Sequence, residues 1–120
     1  MISARHRFHG YGSLRRVYRE GRVARGQFFA IKTLDNPRRK SYRLAVVVSR
    51  KVSKSAVARN RIRRRLYEVV RRFEPIILGP QDLVITVFNE QLLEESHQAL
   101  ESQVKKQLKQ LGVLAPVKKS

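Results

Sequence analysis

The sequence predicts a single α/β domain with the element order αββαβα, and three observations carry that reading. Its 120 residues are the length of one compact unit, since domains cluster near about 100 to 150 residues. Hydrophobic residues make up 42% of the chain, enough for a core and too many for a basic disordered tail. The apolar pattern switches between a helical period and runs rich in β-branched residues, with turn chemistry between. Residues 1–120 read as one domain, with residues from about 113 onward as a flexible tail.

The elements follow in order. Gly10-Tyr11-Gly12-Ser13 reads as a loop ending in an N-cap serine, and Leu14, Val17 and Tyr18 then recur at helical spacing up to Gly21. Gln27 to Leu34 and Tyr42 to Ser49 are strand-like. The segment Asp35-Asn36-Pro37 through Ser41 between them predicts an antiparallel hairpin. Ser55 to Phe73 is helical, Gly79-Pro80 breaks the chain, and Asp82 to Phe88 is a third strand. A last helix over roughly Leu92 to Leu111 places Leu93, His97, Leu100, Val104, Leu108 and Leu111 on one stripe, with acids early and lysines late. Such a helix covers a sheet.

Charge separates the function classes. There are 27 Lys and Arg against 9 Asp and Glu, a formal charge of +18. Residues 1–72 hold 22 of the basic residues and only three acids, Glu20, Asp35 and Glu68, and 18 of those 22 are arginines. A field concentrated in one part of a domain is a binding surface for a polyanion, and guanidinium groups suit phosphate and bases better than a generic membrane surface. With no cysteine, disulfides, cysteine zinc sites and thiol nucleophiles are excluded. No apolar stretch reaches the length of a membrane span, and no signal-peptide core follows Met1, so a cytoplasmic protein is expected. His6 and His9 have the spacing of two metal ligands but lack further donors, and His97 reads as a packed or rim histidine. No metal site and no catalytic residue is expected in the chain.

One segment concentrates the signal. Wound at 100° per residue, Arg59 to Phe73 puts Ile62, Leu66, Val69 and Phe73 within about 40° of one direction. Val70 lies beside them, and Asn60, Arg64 and Arg71 fall on the opposite side. Arg61, Arg65 and Arg72 form one flank, Arg59 and Arg63 the other, and Glu68 sits one turn from Arg64 and Arg72. Seven arginines on so short a helix repel one another unless an anion lies against them. A strand rather than a helix precedes the segment, which disfavours a helix-turn-helix reader of DNA and favours RNA. The helix also lacks the aromatic apolar face of a membrane-surface helix.

The run Arg50-Lys51-Val52-Ser53-Lys54-Ser55-Ala56-Val57-Ala58-Arg59-Asn60-Arg61-Ile62-Arg63-Arg64 resembles the signature of the protein subunit of bacterial ribonuclease P, Arg-Asn-Arg followed by two basic residues and preceded by Lys and Ala-Val. The Arg7-Phe8 start, the aromatic-bearing first helix, the Phe28-Phe29 and Val46-Val47-Val48 strands and the closing helix occur in that family's order. Four positions depart from the family's usual residues: Tyr67 and Lys32 replace a basic residue and an aromatic, Ser53 a glycine, and Leu14 a phenylalanine.

The resemblance implies a small sandwich with a mixed sheet of about four strands and a left-handed βαβ crossover through the basic helix, like the second domain of ribosomal protein S5. It implies the protein component of a ribonucleoprotein endoribonuclease whose catalytic centre and Mg²⁺ belong to the RNA subunit, removing the 5′ leader of precursor tRNA. The partners implied are the catalytic RNA subunit and precursor tRNA, with no DNA, no membrane and no cofactor held by the protein. Lys51, Lys54, Arg59, Asn60, Arg61, Arg63, Arg64 and Tyr67 would face RNA; Leu14, Tyr18, Phe28 and Lys32 would line a cleft for the leader. The alternative is a structural RNA-binding protein such as a ribosomal protein, which explains the charge equally well.

Overall fold

A computed structural model describes residues 11–115. In chain order it contains α1 (Tyr11–Glu20), β1 (Arg22–Arg25), β2 (Phe29–Asp35), β3 (Arg43–Val48), α2 (Ala56–Arg72), β4 (Gln81–Val87) and α3 (His97–Gln110), with 3₁₀ turns at Glu74–Ile76 and Glu90–Glu94. The four strands form one mixed sheet in the order β1-β2-β4-β3. The α/β class and the four-stranded sheet are as expected, and β3 and β4 are parallel neighbours joined through α2.

The hairpin expected between the strands that are here β2 and β3 does not form. β2 pairs antiparallel with β1 on one side and β4 on the other, and β3 pairs with β4. Six of the seven residues of β4 are buried, so this strand needs neighbours on both edges and cover on both faces. It therefore takes the position that the hairpin reading gave to β3. The added strand β1, Arg22-Val23-Ala24-Arg25, buries Ala24 alone. Half of it is arginine, which hides its strand character; it forms because the tight connection closed by Gly26 N–H donating to the Phe29 carbonyl (3.0 Å) lays it along β2.

The helix boundaries divide the same way. Ser55 caps α2 by accepting from the Ala58 N–H (3.2 Å), and the helix ends at Phe73, as the pattern predicts. α1 is already helical at Tyr11, the first described residue, so the predicted cap Ser13 lies inside the helix. Gly21 closes it, but the described glycines with positive φ are Gly79 and Gly112, so Gly21 is not a left-handed cap. A Cβ there would lie 2.5 Å from the Val17 carbonyl oxygen and 3.0 Å from that of Thr33, so glycine lets the helix end touch β2. The last helix starts at His97 rather than Leu92, because Ser96 caps it through the Ala99 N–H (3.1 Å) while Asn89 caps the preceding 3₁₀ turn. Its first turn consequently holds no acid. Leu100, Val104, Leu108 and Leu111 are buried as the stripe predicts, and His97 is exposed.

α2 and α3 cover one face of the sheet. Ile62, Leu66, Val69 and Phe73 of the α2 stripe and Leu100, Val104 and Leu108 of α3 share one core with Phe29, Ile31, Leu44, Val46, Leu83 and Ile85. α1 lies on the other face, over β2 and β4, with Val17 fully buried. Past α3, Val113 is buried, Leu114 bridges to Ile77, and the Ala115 N–H reaches the Ile76 carbonyl at 2.7 Å. The chain that was expected to loosen at 113 is thus packed as far as 115. Among the described residues, no helix is long and apolar enough to cross a membrane.

Candidate nucleic-acid interface

The buried stripe of α2 fixes which arginines can face outward. Asn60, Arg61, Arg64, Arg71 and Arg72 are exposed. Asn60 Oδ1 accepts from Arg63 Nη1 at 2.9 Å, so the asparagine between two arginines holds a third guanidinium in place. Arg59 Nη1 donates to the carbonyls of Ser53 (2.9 Å) and Lys54 (3.1 Å), tying the helix to the loop that carries exposed Lys51 and Lys54. Glu68 pairs with Arg71 at 4.0 Å, and Arg72 pairs with Glu101 of α3 at 3.1 Å. Tyr67 is half-buried and packs against the core.

Arg65 behaves differently from its neighbours. Its Nη1 donates to the Leu92 and Leu93 carbonyls (3.2 and 2.9 Å) and its Nη2 to the Glu95 carbonyl (2.7 Å). Three carbonyls at the end of the 3₁₀ turn are satisfied by one planar group, which is the use a guanidinium fork suits best. Arg65 pins the approach to α3 onto α2 and is spent on the fold.

On the opposite face of the sheet, α1 and the strands define a second surface. Tyr18 Oη lies 3.1 Å from Thr86 Oγ1. Lys32 Nζ donates to the Tyr18 carbonyl at 2.6 Å and stands 5.5 Å from the centre of its ring, within cation–π range. Tyr18 and Lys32 therefore sit together, with half-buried Leu14 one helical turn before Tyr18; Phe28 does not join them: it is 4% exposed and belongs to the core. Phe88, just past β4 and 47% exposed, continues the alternation of Val84 and Thr86. The strand read from the sequence, Asp82 to Phe88, already contains it, and period-two spacing from Val84 and Thr86 puts it on their face.

Among the described residues, no three His, Asp or Glu side chains gather as a metal site. His6, His9 and the Arg7-Phe8 start lie outside the described residues.

A family model described as ribonuclease P matches residues 2–112. The chain belongs to the ribonuclease P protein family. Ribonuclease P protein components similar to it include that of Chloroflexus aurantiacus, 35% identical over 100 residues that cover 83% of this chain and 73% of the relative. That of Thermus brockianus is 34% identical over 96 residues, 80% of this chain but only 54% of the relative's length. The fold matches the solved RNase P protein of Staphylococcus aureus with a TM-score of 0.79 over 91% of this chain and 97% of that one, at 23% identity. The RNase P protein of Thermotoga maritima matches with a TM-score of 0.69 over 78% and 86%, at 22% identity. In this member of the ribonuclease P family, the basic helix and α1 lie on opposite faces of one sheet.

Proposed function

We propose that this chain is the protein component of ribonuclease P, working in the cytoplasm on precursor tRNA. The exposed side of α2, with Asn60, Arg61, Arg63 and Arg64 and the adjacent Lys51 and Lys54, lies against the catalytic RNA. The surface between α1 and the sheet, with Tyr18, Lys32, Leu14 and the exposed Phe88, holds the single-stranded 5′ leader. An aromatic ring beside a cation is the equipment for sequence-tolerant binding of single-stranded RNA. The RNA subunit performs the cleavage with Mg²⁺, and the protein supplies no catalytic group.

The observation that carries this reading is α2: in a member of this family, a helix whose apolar stripe is wholly buried leaves a guanidinium-rich side with Asn60 positioning Arg63. Cationic side chains and divalent ions share the work of neutralising phosphate, so the protein lowers the Mg²⁺ that cleavage requires. Family membership favours this reading over a ribosomal protein of similar charge.

Reconstitution with a bacterial ribonuclease P RNA and precursor tRNA at limiting Mg²⁺ tests it. Leader removal should accelerate when the chain is added. Cleavage that is indifferent to the chain at every Mg²⁺ concentration overturns the proposal.

A further inference from the structure

At the β1 edge of the sheet, away from the β3 edge that α2 covers, the turn after β1 and the second half of α3 enclose a cavity of about 260 Å³. Its lining includes Arg25, Gly26, Gln103, Lys106 and Gln107. Gln107 is 3% exposed, and its Nε2 donates to the Phe29 carbonyl at 3.1 Å. Gln103 Nε2 donates to Glu95 Oε1 at 3.0 Å. Those bonds fix both amide orientations, because only the NH₂ end can donate. The Oε1 atoms of Gln103 and Gln107 are both buried and accept nothing among the described residues. Orphaned buried acceptors are rare in native folds, and here two stand one helical turn apart beside the same cavity.

Arg25 and Lys106 are exposed at that cavity. Lys106 comes from the part of the sequence in which acids outnumber lysines, so the fold alone places it near Arg25. Unmet acceptors next to two cations suit a ligand that joins hydrogen-bond donors to an anion. A ribonucleotide has this composition: a 2′-hydroxyl, which DNA lacks, and base N–H groups beside a phosphate. We propose that this cavity is a third RNA contact that takes one unpaired ribonucleotide. Arg25 and Lys106 neutralise its phosphate, and Gln103 and Gln107 accept from its sugar or base. The proposal rests on the RNA-binding reading above and adds a contact at the far edge of the sheet. Because the two oxygens are covered, binding turns their side chains, and that movement can be observed.

The test titrates the ¹⁵N-labelled full chain with a single-stranded RNA hexanucleotide and its DNA counterpart, following the side-chain amide signals of Gln103 and Gln107. Those signals should shift with RNA and much less with DNA. Arg25→Ala with Lys106→Ala, both at exposed positions, should keep the circular dichroism spectrum and lower the salt slope of RNA binding by about 0.7, the share of the one phosphate that the two cations neutralise on a single strand. Gly26→Ala, whose methyl would collide with Gln107 Nε2, should displace that amide and reduce the preference for RNA over DNA without changing charge. Unmoved glutamine signals, equal shifts with RNA and DNA, an unchanged slope in the double variant, or equal displacement by a polyglutamate peptide each overturn the third contact. If the double variant binds like wild type while Arg61→Ala with Arg64→Ala weakens binding, only this contact fails. A wild-type chain that binds no RNA overturns both readings.

Discussion

Arg43 and Asp82 stand opposite each other where β3 and β4 begin to run in parallel, and they meet through two hydrogen bonds of 2.8 Å, from Nε to Oδ1 and from Nη2 to Oδ2. Both residues are buried, and Asn36 Nδ2 adds a third donor to the carboxylate at 2.8 Å. The hydrogen bond to Asp82 raises the Arg43 pKa above its ordinary value; burial opposes that, and the carboxylate's charge adds to it. The guanidinium therefore stays charged at any working pH, and removing Asp82 takes a paired carboxylate from a buried cation. Asp82→Ala should cost about 3 to 5 kcal/mol in urea unfolding. Arg43→Met combined with Asp82→Leu should recover most of that, because two apolar groups leave no charge unmatched. A loss in Asp82→Ala no larger than in the double variant would mean that the pair contributes no more than packing.

Arg64 and Arg65 are sequence neighbours with separate tasks. Arg65→Ala should lower stability by about 1.5 to 3 kcal/mol, the range for hydrogen bonds to charged groups, and leave the salt slope of RNA binding in place. Arg64→Ala should do the reverse, reducing the slope by about 0.7 to 0.9 with melting temperature unchanged. Matching effects in the two variants would contradict the division.

Gly21 is a packing glycine. Gly21→Ala should destabilise by about 1 to 3 kcal/mol, the range for overpacking, since the atoms a methyl would strike are backbone oxygens of α1 and β2. Thermal unfolding measures this, and a neutral result would mean that α1 shifts freely on the sheet.

Tyr18 offers a ring and a hydroxyl that two substitutions separate. Tyr18→Phe removes the contact with Thr86 and should preserve the preference for precursor over mature tRNA. Tyr18→Ala removes the ring and should reduce that preference by about 5- to 150-fold, the worth of one stacked base. Affinities for both tRNAs and the melting temperature are needed on each variant. An unchanged ratio in Tyr18→Ala assigns the ring to the core instead.

What could be read from the sequence was local. Ser55 to Phe73 was legible to the residue because an N-cap, an apolar stripe and its end lie within one stretch. Strand order was not: nothing in Phe29–Asp35 or Arg43–Val48 says that a strand nearly forty residues further on will separate them. β1 was hidden by its own arginines. The site divided likewise. The helical wheel separated buried from exposed faces of α2, but it gave Arg61 and Arg65 the same flank, and only the position of the 3₁₀ turn over α2 distinguishes them. The resemblance puts Tyr18 and Lys32 on one surface as independent residues, whereas the fold sets the lysine against the tyrosine's ring. Phe28, adjacent to Phe29 in the chain, turned inward because the connection from β1 bends there.

The central place of β4 also sets an order of events during synthesis. β1 and β2 can pair as soon as residue 35 is available, but β3 has no partner until residues 81–87 arrive to fill the gap between them. Within that interval the arginine helix is made without the strand that completes its floor, and its apolar stripe lacks Leu83 and Ile85 to rest on. Closure of the sheet is a late, long-range step of the kind that slows folding. The surface most attractive to polyanions is thus made before the platform that shapes it, and a nascent chain in a cell crowded with RNA carries its charge ahead of its selectivity.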